Sequence, residues 1–281
     1  MYKSYYYLNR LTIELDNLLK GKKIKSIFSQ DKDRLIIEID GNDKLFIEIS
    51  VNHSDPYIDI KDRFSRAKKN TIEFFSILIN TSIKNVLIAS DDRIIKFETN
   101  AGNLFFAVRG KYTNVFLDAA EFLSFKNETE ENLISIRQEF HSKYFHTRFN
   151  IPDSKNILDK NITQIRKIYP FIGREIENEV IARRTNHQND LELLLNVLQD
   201  IFTENPVVFS DEKTGEIHIG FNSLKIFSNY EKKQFDDLIK AFNYFLSKRY
   251  QYEEKKSKLN KITAYLEKEL KKNAARLNNL L

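Results

Sequence analysis

The chain has 281 residues, 41% of them hydrophobic, with 22 Phe and 13 Tyr but only 7 Gly and 4 Pro, a composition that can bury a core and excludes a loop-rich or disordered chain. No cysteine is present, which excludes disulfides, Cys-ligated zinc and thiol nucleophiles together and fits a reducing compartment. The net charge of +5 is unevenly spread: residues 248–281 hold 10 Lys and Arg against 4 Glu, and the remainder holds 35 basic against 36 acidic residues.

In chain order, Leu8, Leu11, Leu15, Leu18 and Leu19 fall at helical spacing, and Gly21 is placed to stop that helix. The N-terminus carries Asp and Glu soon after its apolar residues and has no small-residue cleavage site, so it does not read as a signal peptide. No run approaches the roughly 20 apolar residues of a membrane-spanning helix, and the expectation is a soluble cytoplasmic protein with no membrane partner. Strand-like runs follow at 24–28, 35–39 and 45–49, the last two joined by a Gly41-Asn42 turn. A helix is expected over 71–78, with Ile72, Phe75 and Leu78 inward. Further strands are expected at 83–89, 94–98, 104–108 and 113–117, an α+β pattern that is mainly antiparallel and ends near Lys126.

A polar stretch at 127–132 leads into 133–149, which mixes helical periodicity with His141 and His146. Two histidines five apart do not share a helix face, and with no third ligand nearby they read as structural. Residues 151–160 look like a linker. From Ile162 the pattern is helical: Ile165 and Ile168, a tight Tyr169-Pro-Phe-Ile-Gly173 turn, then Ile176, Val180 and Ile181. Another amphipathic helix is expected over 191–202, followed by two strand-like pieces around Thr214-Gly215. A single long helix is then expected over 235–281, with Leu259, Ile262, Leu266, Leu270, Ala274 and Leu277 stepping by three and four. A lone helix of this kind is poorly stabilised without packing, so it is expected to pair, either within an antiparallel hairpin or by coiled-coil self-association. The basic surplus along it suits an acidic partner, although a lysine-rich solvated helix has the same composition.

Candidate sites are few. Asp92-Arg93 lies between two strand runs, where an Arg fork could meet phosphate or a base edge, or form an ordinary surface ion pair. Arg109-Gly110-Lys111-Tyr112-Thr113-Asn114 offers close backbone approach, two cations and a stacking ring, which equally describes a basic hairpin. The 169–173 turn is similar to a helix-hairpin-helix, whose helix N-terminus could present N–H groups to a phosphate. Phe171 stands where a second glycine is usual and favours packing. No phosphate-binding glycine loop, nucleophile elbow or zinc-protease motif occurs, so no catalytic residue, metal or cofactor is assigned.

Taken in order, these pieces resemble the NFACT family, whose bacterial members are called fibronectin-binding proteins in older naming. The resemblance rests on Leu19-Lys-Gly21-Lys-Lys-Ile-Lys-Ser-Ile27, on Asp92-Arg93-Ile94-Ile95, on residues 109–114, and on the hairpin and basic helix following in family order. It implies four units: a formamidopyrimidine-DNA-glycosylase-like α+β domain over 1–126, a connecting segment over 127–160, a helix-hairpin-helix domain with a small β-hairpin over 161–233, and the first coiled-coil helix over 234–281. It implies a non-enzymatic factor in ribosome quality control that binds an obstructed large subunit, through rRNA and proteins, and recruits alanyl-tRNA for tailing of the stalled chain. Asp92 and Arg93 match the family's tRNA-contacting pair; Arg109, Lys111, Tyr112 and Asn114 join them, and Lys255, Lys256, Lys258 and Lys261 are the ribosome-binding candidates. The departures are Tyr2-Lys3 in place of the glycosylases' Pro-Glu, Tyr7 in place of an acid in the first helix, and 68–71 in place of a Pro-Pro and Met-rich segment. The second coiled-coil helix and C-terminal domain of the family are not within these residues. The rival readings are a fibronectin-binding adhesin, a repair glycosylase and a coiled-coil scaffold.

Overall fold

A computed structural model describes residues 2–41, 44–67, 69–153, 157–185 and 189–278, with the side chains of 275–278 left out. Asn42 of the expected turn, Lys68 of the replaced segment and the middle of the expected linker lie outside the described residues.

Helix α1 (Tyr5–Leu19) begins at Ser4, whose hydroxyl accepts from the Tyr7 N–H, and it buries Tyr5, Leu8, Leu11, Leu15 and Leu19. Gly21 ends it at φ +80°, a conformation that a side chain would strain, and its N–H donates to Ile83 O. Strands β1 (Ile24–Asp31), β2 (Arg34–Ile39), β3 (Leu45–Ser50), β4 (Tyr57–Lys61) and the short β5 (Ile72–Glu73) form an antiparallel sheet in the order β4-β3-β2-β1-β5. Strands β6 (Ile83–Ala89), β7 (Ile94–Thr99), β8 (Asn103–Ala107), β9 (Asn114–Asp118), β10 (Phe122–Ser124) and β11 (Phe145–His146) form a second, in the order β10-β9-β8-β7-β6-β11. Period-two alternation sends Ile27, Ile37, Ile47 and Ile49 of the first sheet and Val86, Ile95, Phe97 and Phe106 of the second into one core with α1. Helix α2 (Glu130–Ser142) covers the opposite face of the second sheet, where Phe140 packs on Phe105 and Phe116.

Two expectations are corrected here. The 71–78 segment is not a helix: Ile72 is 64% exposed, Phe74 N–H donates to Ile27 O, and only a 3-10 turn forms at Ser76–Leu78. The first unit also does not end at 126, since α2 and β11 complete and cover its second sheet.

Helices α3 (Ile162–Ile168), α4 (Gly173–Arg183) and α5 (Asp190–Thr203) follow, then β12 (Pro206–Asp211), β13 (Glu216–Phe221) and β14 (Glu231–Gln234) in the order β13-β12-β14. Helix α6 (Leu238–Asn278) closes the chain. Its first turns bury Leu238, Ala241, Phe242, Phe245 and Leu246 in the same core, and from Glu253 to Ala274 it runs exposed apart from half-buried Glu269. None of the described helices is long and apolar enough to cross a membrane. The mixed α+β architecture, the antiparallel sheets and the long terminal helix are those expected from the sequence.

Candidate nucleic-acid interface

The β6–β7 turn separates the two side chains of the Asp92-Arg93 pair. Asp92 Oδ1 accepts the Arg93 N–H at 2.7 Å, and its Oδ2 accepts from the Arg109 guanidinium at 2.8 Å. Arg93 turns the other way and donates to the carbonyl of Lys3 at 3.2 Å, with no ion pair to a described carboxylate. Asp92 thus shapes the turn while Arg93 is left with unused donors.

Arg109 is neutralised where it stands. It binds Glu139 through both terminal nitrogens, binds Asp92, and lies over the Phe140 ring at 5.4 Å. Burial works against its charge, but Glu139 and Asp92 outweigh that and hold its pKa above the ordinary arginine value. Lys143 adds to the same cluster, 3.0 Å from Asp91 and 3.7 Å from Asp92. Asn114 is a correction. It is buried on β9, its Oδ1 accepts from the N–H groups of Val115 and Lys126, and its Nδ2 donates to Lys126 O at 3.1 Å. Its Nδ2 also reaches Glu128 Oε1 at 3.5 Å, and the residue pins β9 to the chain that leaves β10. Lys111 and Tyr112 do stand exposed at the tip of the loop, the ammonium 4.8 Å from the ring centroid.

What the fold gathers around Arg93 is different from what the sequence pattern grouped. A cleft of about 350 Å³ is lined by Lys3, Arg93, Gly173, Arg174 and Glu175 among others. Its floor is set by Phe171, which packs on Tyr5 at 5.0 Å and Tyr169 at 5.6 Å, the packing role that its place in the hairpin suggested. One wall is the first turn of α4, which has no side-chain cap although the Gly173 N–H already donates to Pro170 O, and the positive end of the helix dipole there favours an anion. Gly173, at φ +73°, has open space where a Cβ would project. Lys3 donates to Ser54 O, and burial pulls its pKa below the ordinary lysine value. Three cations and one carboxylate therefore converge on a helix N-terminus. Lys3 and Arg174 were not singled out from the sequence, because one is 90 residues from Arg93 and the other 81, and only the fold unites them. A larger cleft, about 770 Å³, lies elsewhere, between Asp31, Lys32, Ile72, Phe74 and Phe125, and contains none of the sequence-predicted site residues.

On α6, Lys255, Lys256, Lys258 and Lys261 are all exposed. Lys258 pairs with Glu254 at 2.7 Å, and Lys255 lies 6.0 Å from the Tyr252 ring centroid. His141 and His146 sit on different elements, His141 of α2 bonding Asp118 at 2.6 Å.

No family model matches the chain, and no curated protein matches it in sequence. Solved structures do match. The fibrinogen binding protein from Staphylococcus aureus superimposes with a TM-score of 0.62 at 16% identity, covering 87% of this chain and 99% of that one. The N-terminal part of the fibronectin/fibrinogen-binding protein from Streptococcus suis does so with a TM-score of 0.59 at 15% identity, covering 86% and 98%. The chain shares their fold. At this identity the likeness speaks for the fold and leaves the function to be argued from the side chains.

Proposed function

We propose that the chain is a non-catalytic RNA-binding factor of the NFACT type, which docks tRNA at the Arg93 cleft and meets the large ribosomal subunit through the lysines of α6, inside the cell. The observation that carries this reading is the convergence of Lys3, Arg93 and Arg174 on the uncapped N-terminus of α4. A partly desolvated cation with spare donors gains most from a phosphate, which satisfies charge and geometry together. The NFACT resemblance of the sequence adds to it, since Arg93 is the member of the Asp-Arg pair that keeps unused donors. Recruitment of alanyl-tRNA for tailing is the finer form of this proposal.

A second reading is favoured by a separate observation: both superimposed proteins are named for binding fibrinogen or fibronectin. On that reading the exposed face of α6 or the loop around Tyr112 meets a host matrix protein.

The test is to recover the chain from cells at moderate salt and sequence the co-purifying RNA, beside Arg93→Ala and Arg174→Ala variants, with purified fibronectin and fibrinogen presented in parallel. Large-subunit rRNA with an enriched tRNA class, the tRNA reduced about tenfold in either variant, supports RNA binding at the cleft. Tight matrix-protein binding with no RNA recovered transfers the assignment to the second reading.

A further inference from the structure

The cleft of about 770 Å³ between the β1–β2 turn, β5 and the chain that leaves β10 has two chemically different walls. One wall is apolar. Ile72 and Phe74 are two apart on extended chain, so both side chains project to one face, and both line the cleft. Ile72 is 64% exposed and Phe74 half-buried. Buried Phe125 packs edge to face on Phe74, with ring centroids 4.9 Å apart, and fixes that ring in place. Phe75 behind them takes φ +49°, a conformation that is costly for a bulky residue and recurs at ligand sites. The other wall is polar, and most of its hydrogen-bonding capacity is unspent. Asn70 and Asn127 are exposed, and nothing among the described residues bonds their side-chain amides. Gln30 uses only its Nε2, on Thr71 Oγ1 at 3.3 Å. Asp33 pairs with Lys126 at 3.1 Å and Asp31 with Arg34 at 3.3 Å. Lys32 is left as a cation with no ion pair to a described carboxylate.

We propose that this cleft takes one unpaired nucleotide of a single-stranded RNA segment. The base lies against Phe74 and Ile72, its edge meets the amides of Asn70, Asn127 and Gln30, and its phosphate sits near Lys32. A purely apolar ligand would cover the first wall and leave the amides and Lys32 unused. A small inorganic anion would engage Lys32 and leave Ile72 and Phe74 in water. A nucleotide joins a π-face, a donor–acceptor edge and an anion, and so matches both walls. The volume is in the range of small-ligand sites. A base inside a duplex keeps its face stacked and its Watson–Crick edge paired, so the nucleotide is an unpaired one. With a single spare cation, the contact depends on stacking and amide bonds, and its salt dependence is shallow beside that of the Arg93 cleft. It rests on the proposed function only for RNA as the source of the nucleotide, since none of its residues belongs to the Arg93 cleft or to α6.

The test presents the full chain with a short single-stranded RNA carrying 4-thiouridine, and with a hairpin RNA in which the same sequence is paired. Salt is set high enough to suppress contacts made by charge alone. Photo-cross-links mapped by mass spectrometry are expected within residues 69–75 and 125–127. Fluorescence anisotropy is expected to show the single strand bound and the paired stem not. Phe74→Leu keeps an apolar side chain, removes the ring, and is expected to weaken binding about tenfold. Asn70→Gly with Asn127→Ala is expected to weaken it about fivefold. Glycine keeps the left-handed backbone of Asn70, φ +61°, and both residues are exposed, so this pair tests the site even where Phe74→Leu disturbs folding. The melting temperature of each variant is the control. Undiminished binding by either natively melting variant overturns the proposal, as do cross-links found only at the Arg93 cleft or α6. Ribonucleoside monophosphates that bind as tightly as the single strand overturn it too, because the source is then the free nucleotide. Cross-links at Phe74 that persist while tRNA capture proves insensitive to Arg93 and Arg174 support this site and refute the proposed cleft function.

Discussion

Asp59 is held on β4 at 4% exposure, directly opposite Glu48 of β3 in the strand register. Tyr57 and Lys61 occupy the same face, both bonding the Glu48 carboxylate at 2.7 Å, while Lys61 reaches Asp59 only at 3.6 Å. Burial pushes the Asp59 carboxyl up to about 6, with Lys61 opposing and Glu48 adding to the rise. A raised acid pKa means that the folded chain binds more protons than the unfolded chain between about pH 4 and 6. Its contribution is therefore neutral below that window and unfavourable above it. Asp59→Asn is expected to gain on the parent chain by about 1–3 kcal/mol as pH rises from 5 to 8, read from urea unfolding at the two pH values; parallel pH profiles for the two proteins refute this. None of it is legible in Tyr57-Ile-Asp-Ile-Lys, where the acid occupies the alternate position usually left to solvent. Asn114 is the matching case in the candidate site. A basic, glycine-bearing segment reads as one surface, yet the chain folds Asn114 inward to satisfy backbone groups and leaves Lys111 and Tyr112 outside.

At the scale of elements, the root of α6 is fastened to the body at four separated points. Leu238 N–H donates to Glu14 of α1 at 2.9 Å, Asn243 to Ile60 O of β4 at 2.9 Å, and Tyr250 lies 3.2 Å from the Tyr57 hydroxyl. Arg249 forks onto Asp55, bonds the Tyr2 hydroxyl at 3.0 Å, and is flanked by the rings of Tyr2, Phe245 and Tyr250. Arg249→Met keeps the apolar stem and removes the fork, leaving Asp55 half-buried without its cation. A loss of about 1–3 kcal/mol is expected, with faster amide exchange in both the first turns of α6 and the 52–56 loop; exchange confined to one of them would show that Arg249 does not couple the two. Strands with alternating apolar residues and the amphipathic helices were legible because their pattern decides their burial. The 71–78 segment was not: its spacing of three matches a helix, but Phe75 and Asn80 take left-handed backbone so that the chain can pair with β1. Strand β14, Glu-Lys-Lys-Gln, carries no apolar signal at all and exists through its pairing with β12.

Over the whole molecule, cationic surplus is a property of places and not of the total. The chain up to residue 247 is nearly balanced, with 35 basic and 36 acidic residues, and many of those charges cancel in pairs such as Arg109 with Asp92 and Glu139. A polyanion is therefore attracted by two separate features, the Arg93 cleft and the exposed length of α6, and the proposed function gives them different ligands. Counterion release makes that division measurable, because each phosphate neutralised contributes a little under one unit to the slope of log K against log salt. For isolated tRNA, Arg93→Ala with Arg174→Ala is expected to reduce the slope by about 2, while Lys258→Ala with Lys261→Ala, two of the α6 lysines given to the ribosome, leaves it unchanged and weakens binding to large subunits instead. Fluorescence anisotropy across a salt series separates the cases. A tRNA slope that falls with the α6 changes and ignores the cleft changes means that the helix alone attracts RNA, by charge and without a built site, and that the cleft reading fails.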